Sequence, residues 1–233
     1  MTTNIMTTNY KIVSIEGNIG SGKSTLLENL RKQYETNTSV IFLREPVDDW
    51  EKIKDKQDNT MLKKFYDNQE KYAFAFQMMA YISRLKILRD TIKEISNHPL
   101  KDYVIITERS LYTDKNVFAK MLYDQGKIED VCYQIYLNWF NEFVSDYDIR
   151  YTIYVKTDPI KCYERIHKRS REGEEVIPLN YLESCHNYHN EFLDTLNELK
   201  TEKLELNGNI DIYEDEKILE TWLESIKLFI GIL

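Results

Sequence analysis

The sequence has 233 residues with a formal charge of −8, and 42% of its residues are hydrophobic. This length suits one sizeable core, so we expect residues 1–233 to form a single domain whose residues 1–9 are flexible. The acidic balance argues against binding of a nucleic-acid polymer, because a surface that wraps such a polymer neutralises its phosphates with clustered Lys and Arg.

The sequence does not have the features of a membrane protein or of a disulfide scaffold. Its apolar runs are too short to span a bilayer, and its first ten residues do not resemble a signal or transit peptide. The three cysteines are widely spaced and form no CxxC pair, so neither a disulfide framework nor a zinc site is indicated. We therefore expect a cytoplasmic protein in a reducing compartment.

Five short runs of β-branched and aromatic residues are predicted to be strands, and amphipathic segments between them are predicted to be helices. The strands cover residues 11–15, 40–43, 103–107, 151–155 and 203–206. The helices start at about residue 23 and cover about 66–96, 114–123, 128–144, 159–168, 178–199 and a segment after 215. Alternating strands and helices indicate a doubly wound α/β fold with a mostly parallel sheet.

The first predicted strand runs into a glycine-rich loop that matches the pattern GxxxxGK[ST]. Its residues are Gly17, Asn18, Ile19, Gly20, Ser21, Gly22, Lys23 and Ser24. Glycines let backbone amides turn inward around phosphate oxygens, and the helix that follows begins with a partial positive charge. We predict that Lys23 reaches the outer phosphates of a nucleotide and that Ser24 binds Mg²⁺.

Acidic side chains follow the second and third strands, at the sheet edge where ligands of α/β proteins bind. Glu45, after the second strand, is predicted to accept the proton of an attacking hydroxyl group. Glu108 and Arg109 follow the third strand, and we predict that Glu108 binds Mg²⁺ or its waters. Arg109 is predicted to neutralise charge on a transferred phosphoryl group.

Two further polar features are predicted to serve a site. Gln77 and Arg84 lie on the apolar stripe of the helix over 66–96, where they either form a satisfied buried network or line a pocket. Arg165 and Arg169 share a helix face that leads into the loop 172–175, and the basic run 165–171 predicts a mobile lid over phosphates.

Taken in chain order, these motifs resemble those of the deoxynucleoside kinase family. The matching segments are GNIGSGKST at 17–25, REPV at 44–47 with Trp50, FQ at 76–77 with SR at 83–84, ERS at 108–110 with Tyr112 and Asp114, the arginine-rich helix, and IPL at 177–179 with Tyr181 and Leu182. The resemblance spans about residues 10–230. It implies a P-loop kinase fold, with a five-stranded parallel sheet, helices on both faces and an arginine-rich lid.

The resemblance implies an enzyme that transfers the γ-phosphate of ATP to the 5′-hydroxyl group of a deoxynucleoside, with Mg²⁺ as the metal. Glu45 is then the general base, and Ser24 and Glu108 organise Mg²⁺. The residues implied to bind phosphates are the loop from Gly17 to Thr25, Arg109, Arg165 and Arg169. The residues implied to bind the nucleoside are Gln77 for its base, Trp50 and Phe118 for the ring, and Tyr66 with Glu174 for the sugar 3′-hydroxyl. Glu175 is the neighbouring alternative to Glu174.

Base choice is predicted from Arg84 and Asp114. This charged pair resembles relatives that act on deoxyadenosine, deoxyguanosine or deoxycytidine, and it would crowd the methyl group of thymine, so we expect thymidine to be a poor substrate. The family also implies a homodimer, and the predicted helices near 66–96 and 128–144 contain enough Tyr, Phe and Met to pair with a second copy. The segment 207–211 should touch the base of the donor, and its length leaves the choice between ATP and other triphosphates open.

Two other functions share parts of this pattern. A monophosphate kinase of the thymidylate type has the same fold and lid but needs an additional basic residue for the acceptor phosphate, and the acidic Asp48 and Asp49 argue mildly against it. A nucleotide-binding switch would carry an Asn-Lys-x-Asp motif and an Asp-x-x-Gly stretch after the third strand, and the sequence has neither.

Overall fold

The protein is described by a computed structural model that covers residues 9–98, 102–169, 174, 176–197, 201–213 and 216–232. Within these residues a five-stranded sheet forms from β1 (Asn9–Glu16), β2 (Val40–Leu43), β3 (Asp102–Glu108), β4 (Ile149–Lys156) and β5 (Glu202–Asn207). All neighbouring strands are parallel, in the order β2-β3-β1-β4-β5. The prediction of a doubly wound α/β fold with a parallel sheet is confirmed.

Helices cover both faces of the sheet. They are α1 (Lys23–Gln33), α2 (Val47–Trp50), α3 (Met61–Asp67), α4 (Gln69–Ile95), α5 (Leu111–Thr113), a π-helical turn (Asp114–Ala119), α6 (Lys120–Asp124), α7 (Asp130–Val144), α8 (Pro159–Arg169), α9 (Leu179–Asp194), a 3₁₀ turn (Thr195–Asn197) and α10 (Glu216–Ile230). None of the described helices is both long and apolar enough to cross a membrane.

The two faces of β1 explain the layering. Val13 and Ile15 point to one face, where they pack with buried residues of α1 and α10. Ile12 points to the other face, where α4 and α7 pack. A central parallel strand is buried on both sides, and this accounts for its nearly continuous apolar sequence. Ser14 lies on the same side as Ile12, and its hydroxyl is hydrogen-bonded to that of Thr152 at 3.1 Å.

The prediction of a single helix over 66–96 is wrong in one respect, because the helix is interrupted at Asn68 and two helices form. The Asn68 side chain accepts a hydrogen bond from the Lys71 amide and caps α4, while the Asn68 amide donates to the Lys64 carbonyl at the end of α3. Asn is a favoured N-cap residue for this reason. Tyr66 therefore lies in α3, on a separate element from Gln77 and Arg84.

Three other predicted segments differ from the structure. The helix predicted over 114–123 begins as a π-helical turn at Asp114 and becomes an α-helix at Lys120. The helix predicted over 178–199 ends at Asp194 and continues as the 3₁₀ turn, and residues 198–200 lie outside the described residues. Asn9 already belongs to β1, and residues 1–8, predicted to be flexible, are not among the described residues.

Candidate active site

A cavity of about 420 Å³ opens at the carboxyl edge of the parallel sheet, where open α/β sheets bind ligands. Most of the predicted site residues line this one cavity. They are Ile19, Gly20, Ser21, Gly22, Lys23, Ser24, Thr25, Glu45, Trp50, Tyr66, Gln77, Arg84, Glu108, Arg109, Asp114, Phe118, Arg165, Arg169 and Glu174. The fold therefore brings together residues that are up to about 150 positions apart in the sequence.

Three glycines of the glycine-rich loop adopt backbone conformations that favour glycine. Gly17, Gly20 and Gly22 have φ angles of 147°, 77° and 101°, which L side chains rarely adopt. A Cβ atom on Gly20 would also lie 2.6 Å from the Cys162 carbonyl oxygen. Gly17 and Asn18 are not among the residues that line the cavity. Asn18 is buried and donates to the Leu182 carbonyl at 2.8 Å, so it anchors the loop to α9.

Lys23 is folded back into this loop. Its Nζ atom donates to the Asn18 carbonyl oxygen at 2.6 Å, and the residue is buried. Burial, together with the nearby Arg109 guanidinium, lowers the pKa of Lys23 to about 7. An anionic ligand in the loop would favour the charged ammonium form of Lys23 and would raise its pKa again.

Ser24 and Glu108 meet at the base of the cavity. The Ser24 hydroxyl donates to Glu108 Oε1 at 2.6 Å, and Glu108 is largely buried. A hydroxyl and a carboxylate oxygen side by side, beside a phosphate-binding loop, suit Mg²⁺, which takes oxygen ligands and keeps several waters. The roles of these two residues in binding Mg²⁺ stay predictions.

Glu45 lies between two arginines. Arg109 Nη1 donates to Glu45 Oε1 at 2.7 Å, and Arg84 Nη2 donates to the same oxygen at 3.1 Å. Burial would raise the pKa of Glu45, but Arg109 and Arg84 outweigh it, and the pKa is lowered to about 2. The Glu45 carboxylate is therefore ionised throughout the physiological range, as a proton acceptor must be.

Arg109 is held in an unusual backbone conformation. Its φ angle of 62° lies in the left-handed region, which costs a non-glycine residue about 1–3 kcal/mol and is found mostly at functional sites. The guanidinium lies 5.1 Å from the centre of the Phe118 ring. Its Nε atom is buried without a hydrogen-bond partner among the described residues. A buried donor of this kind is expected where a ligand completes the site.

Arg84 and Asp114 form a buried ion pair. Arg84 Nε donates to Asp114 Oδ2 at 2.9 Å, and Arg84 Nη1 donates to the Glu108 carbonyl oxygen at 2.5 Å. Burial raises the pKa of Asp114, and the Arg84 charge partly offsets that rise. Arg84 therefore belongs to a satisfied network and also lines the cavity. Gln77 is buried at the cavity wall, and its amide has no hydrogen bond to the described residues.

Aromatic rings form the wall around Gln77. Trp50 packs edge-on against Phe76 with the ring centres 5.6 Å apart, and Phe76 stacks on Phe65 at 4.5 Å. The Trp50 indole donates to the Ser83 hydroxyl at 2.8 Å. Flat apolar walls with one buried amide suit a nucleobase, because every base has a face for stacking and an edge for hydrogen bonds.

The basic helix α8 ends beside the cavity. Arg165 Nη1 donates to the Gly208 carbonyl at 2.8 Å and weakly to Ser21, so it joins the segment after β5 to the phosphate loop. Arg169 pairs with the buried Glu174, with Nε 3.0 Å from Oε2. Glu174 lines the cavity, whereas Glu175 and residues 170–173 lie outside the described residues. The lid therefore stays a prediction.

Three more residues support the predicted ones. The Thr157 hydroxyl donates to the Ser21 carbonyl at 3.1 Å, behind the phosphate loop. Gly208 packs so closely that a Cβ atom would lie 2.0 Å from the Thr157 hydroxyl oxygen. Ser83 holds Trp50. Ser83 lies within the SR motif at 83–84, and Gly208 lies within the segment 207–211 that is predicted to touch the base of the donor, but no local pattern in the sequence indicates Thr157.

The chain as a whole is similar to known proteins of one family. The family model described as deoxynucleoside kinase matches residues 13–231. The chain is 34% identical to a probable deoxycytidine kinase of fowlpox virus, over 95% of this chain and 89% of that protein. It is 34% identical to deoxycytidine kinase 2 of Gallus gallus, over 94% and 89% of the two chains. It is 33% identical to mitochondrial thymidine kinase 2 of Homo sapiens, over 78% of this chain and 64% of that protein.

Proposed function

The chain belongs to the deoxynucleoside kinase family, and on that premise we propose that it transfers the γ-phosphate of ATP to the 5′-hydroxyl group of a deoxynucleoside. One observation carries the proposal: a single cavity joins the phosphate loop to the aromatic pocket around Gln77. Glu45 stands between them, because it bonds Arg84 of the pocket and Arg109, whose charge also acts on Lys23.

The proposed reaction follows from this arrangement. The nucleoside 5′-oxygen attacks the γ-phosphorus, and the bond from that phosphorus to the oxygen that bridges to the β-phosphate breaks. The hydroxyl proton passes to Glu45, and ADP leaves with the bridging oxygen. Lys23 and Arg109 neutralise charge that builds up on the phosphoryl oxygens. Arg165 and Arg169 line the same cavity, so they would neutralise more of this charge if they exchanged their present partners for phosphates.

Ser24 and Glu108 are the residues that would hold Mg²⁺, because their oxygen atoms are in contact beside the phosphate loop. When bound, the metal would neutralise charge on the phosphates of the donor. Tyr66, Glu174, Trp50 and Phe118 are proposed to bind the sugar and the ring of the nucleoside, since all four line the same cavity.

We propose that deoxyadenosine, deoxyguanosine or deoxycytidine is preferred over thymidine. The support is the buried pair of Arg84 and Asp114, which lines the cavity, so charged hydrogen-bonding groups would lie where they crowd the methyl group of thymine. The relatives are named for deoxycytidine, deoxyguanosine and thymidine, so the comparisons leave this choice open. Equal turnover of thymidine and the other three nucleosides would contradict the preference.

The decisive experiment is a phosphate-transfer assay with ATP and Mg²⁺, in which each of the four deoxynucleosides and each of their monophosphates is the acceptor. We expect products from deoxynucleosides only. Products from monophosphates only would instead establish a kinase of the thymidylate type. Tight GTP binding without turnover of any acceptor would establish a switch. Lys23→Ala should abolish turnover, because it removes the cation of the phosphate loop.

We also propose that the protein is a homodimer. Val131, Ile135 and Trp139 are exposed at spacings of four on α7, and Ile82 is exposed on the adjacent α4. Spacings of four place side chains on one helix face, and a contiguous apolar face of this kind marks a protein contact. A second copy that presents the same face would cover it symmetrically.

The protein is proposed to act in the cytoplasm on small molecules, without a nucleic-acid polymer or a membrane as partner. The support is the acidic composition and the three cysteines, which are free thiols.

A further inference from the structure

One guanidinium group connects the two halves of the site. Arg84 Nη2 donates to Glu45 Oε1 at 3.1 Å and also to Asp114 Oδ1 at 3.4 Å. Arg84 Nε holds the other oxygen of Asp114 at 2.9 Å. The carboxylate proposed for base selection and the carboxylate proposed as general base are therefore bound to the same nitrogen atom.

The two oxygens of Glu45 have different surroundings. Both arginines that bind Glu45 donate to Oε1, Arg109 at 2.7 Å and Arg84 at 3.1 Å. Oε2 receives no hydrogen bond from the described residues, and 17% of the side chain is exposed, at the cavity. Two donors on one oxygen fix the rotation of the carboxylate and leave the other oxygen for the acceptor hydroxyl group.

Asp114 determines where Arg84 lies. The side chains of Arg84 and Asp114 are 8% and 3% exposed, so neither can turn to solvent and leave the other charge buried alone without a large cost. The position of Asp114 is itself fixed. The preceding residue, Thr113, donates its hydroxyl to the buried Glu16 at 2.6 Å, at the end of β1 beside the phosphate loop.

We propose that Asp114 is a positioning residue for proton transfer, which acts through Arg84 to aim Oε2 of Glu45 at the acceptor hydroxyl group. This role is separate from any contact that Asp114 makes with the base, and it rests on the proposed kinase function. Loss of the Asp114 charge frees Arg84 to shift, and Glu45 loses one of the two donors that orient it. The rate constant of phosphate transfer then falls, and it falls by the same factor for every nucleoside.

The test is the rate constant of phosphate transfer in a single turnover at saturating ATP and nucleoside, measured by rapid quench for each accepted deoxynucleoside. A rate constant does not depend on the fraction of active enzyme, so partial misfolding lowers the amplitude and not the rate. We expect Asp114→Asn to lower the rate constant about 10-fold to 100-fold, by the same factor for each base, as a misplaced catalytic group does. The effect of Asp114→Asn on nucleoside affinity, in contrast, should differ between bases.

Gln77→Asn is the matched control, because Gln77 lines the same pocket and has no bond to Arg84 or Glu45. Its effects should vary with the base. Arg84→Lys is the second variant: lysine keeps the charge but lacks the fork that binds two carboxylates, so it should reproduce the uniform fall. The proposal is overturned if Asp114→Asn and Arg84→Lys change nucleoside affinity and leave the rate constant unchanged. It is also overturned if the fall in their rate constants differs between bases, or if Gln77→Asn lowers the rate constant by one factor for all bases. A wild-type protein that phosphorylates no nucleoside would refute the proposed function instead.

Discussion

Nucleotide binding above neutral pH should draw one proton into the phosphate loop. Lys23 is buried, and its pKa of about 7 results from that burial and from the nearby Arg109 charge. The phosphates of a bound triphosphate bring negative oxygens to the ammonium group and should return its pKa to the usual range near 10. A proton therefore enters together with the nucleotide whenever Lys23 is neutral beforehand.

The size of the effect follows from the pKa. At about pH 8.5, roughly 1.5 units above it, only about 3% of Lys23 is charged without ligand, so uptake approaches one proton per nucleotide. Affinity should fall up to about tenfold per pH unit above pH 7, or about 1.4 kcal/mol. The unfolded chain keeps this proton until about pH 10, so Lys23 makes the ligand-free protein more stable as the pH rises from about 7 to about 10.

The assay is calorimetric titration of a non-hydrolysable ATP analogue with Mg²⁺, in buffers of different ionisation enthalpy. The slope of the observed heat against that enthalpy gives the number of protons taken up. Lys23→Met should remove the uptake. Lys115→Met should retain it, because burial also lowers the pKa of Lys115 but this residue does not line the cavity. Zero uptake at about pH 8.5, or equal uptake in Lys23→Met, would refute the reasoning.

Three further outcomes can be checked. Gly208→Ala should lower stability by about 1–3 kcal/mol in thermal melts and raise the donor KM, because its Cβ would displace the Thr157 hydroxyl from the phosphate loop; an unchanged KM would contradict this. Trp50 emission should change on titration with a deoxynucleoside at saturating ATP analogue, and Trp50→Phe should lose that change; an identical response in both proteins would place the nucleoside elsewhere. Trp139→Glu should sediment as a monomer while Ile160→Glu, exposed on α8, sediments as the wild type; a monomeric wild type would disprove the dimer.

The sheet could be predicted because its signals are local. Each strand is a short run of β-branched or aromatic residues, and the predicted cores of all five lie inside the observed strands. The break at Asn68 was missed because α3 and α4 both contribute to one core cluster, so apolar residues continue across it. The cap of Asn68 on Lys71 was the available signal. The π-helical turn at Asp114 has no such signal, since it depends on backbone hydrogen bonds that side-chain spacing does not report.

The site could be predicted residue by residue but not bond by bond. Residues at strand ends gather at one sheet edge by topology, which is why Glu45 and Glu108 could be assigned together. Their partners come from elsewhere in the chain. The bond from Arg84 to Glu45 joins α4 to the end of β2, and the bond from Arg165 to Gly208 joins α8 to the segment after β5. Such pairings depend on how layers pack, and no spacing within the sequence specifies them.

An acidic protein that binds a polyanion must keep its cations from repelling one another in the ligand-free state. Here three cations of the described site have a substitute for phosphate: Lys23 bonds a carbonyl of its own loop, Arg165 bonds the Gly208 carbonyl, and Arg169 bonds Glu174. An incoming triphosphate would exchange these bonds instead of adding to them, so the gain in affinity comes from the extra charge of the phosphates. The exchange would break the bond of Arg165 to the Gly208 carbonyl, at the segment after β5, and the bond of Arg169 to Glu174, at the proposed nucleoside site. Donor binding is therefore expected to loosen both contacts at once, which links the donor site to the segment after β5 and to the proposed nucleoside site.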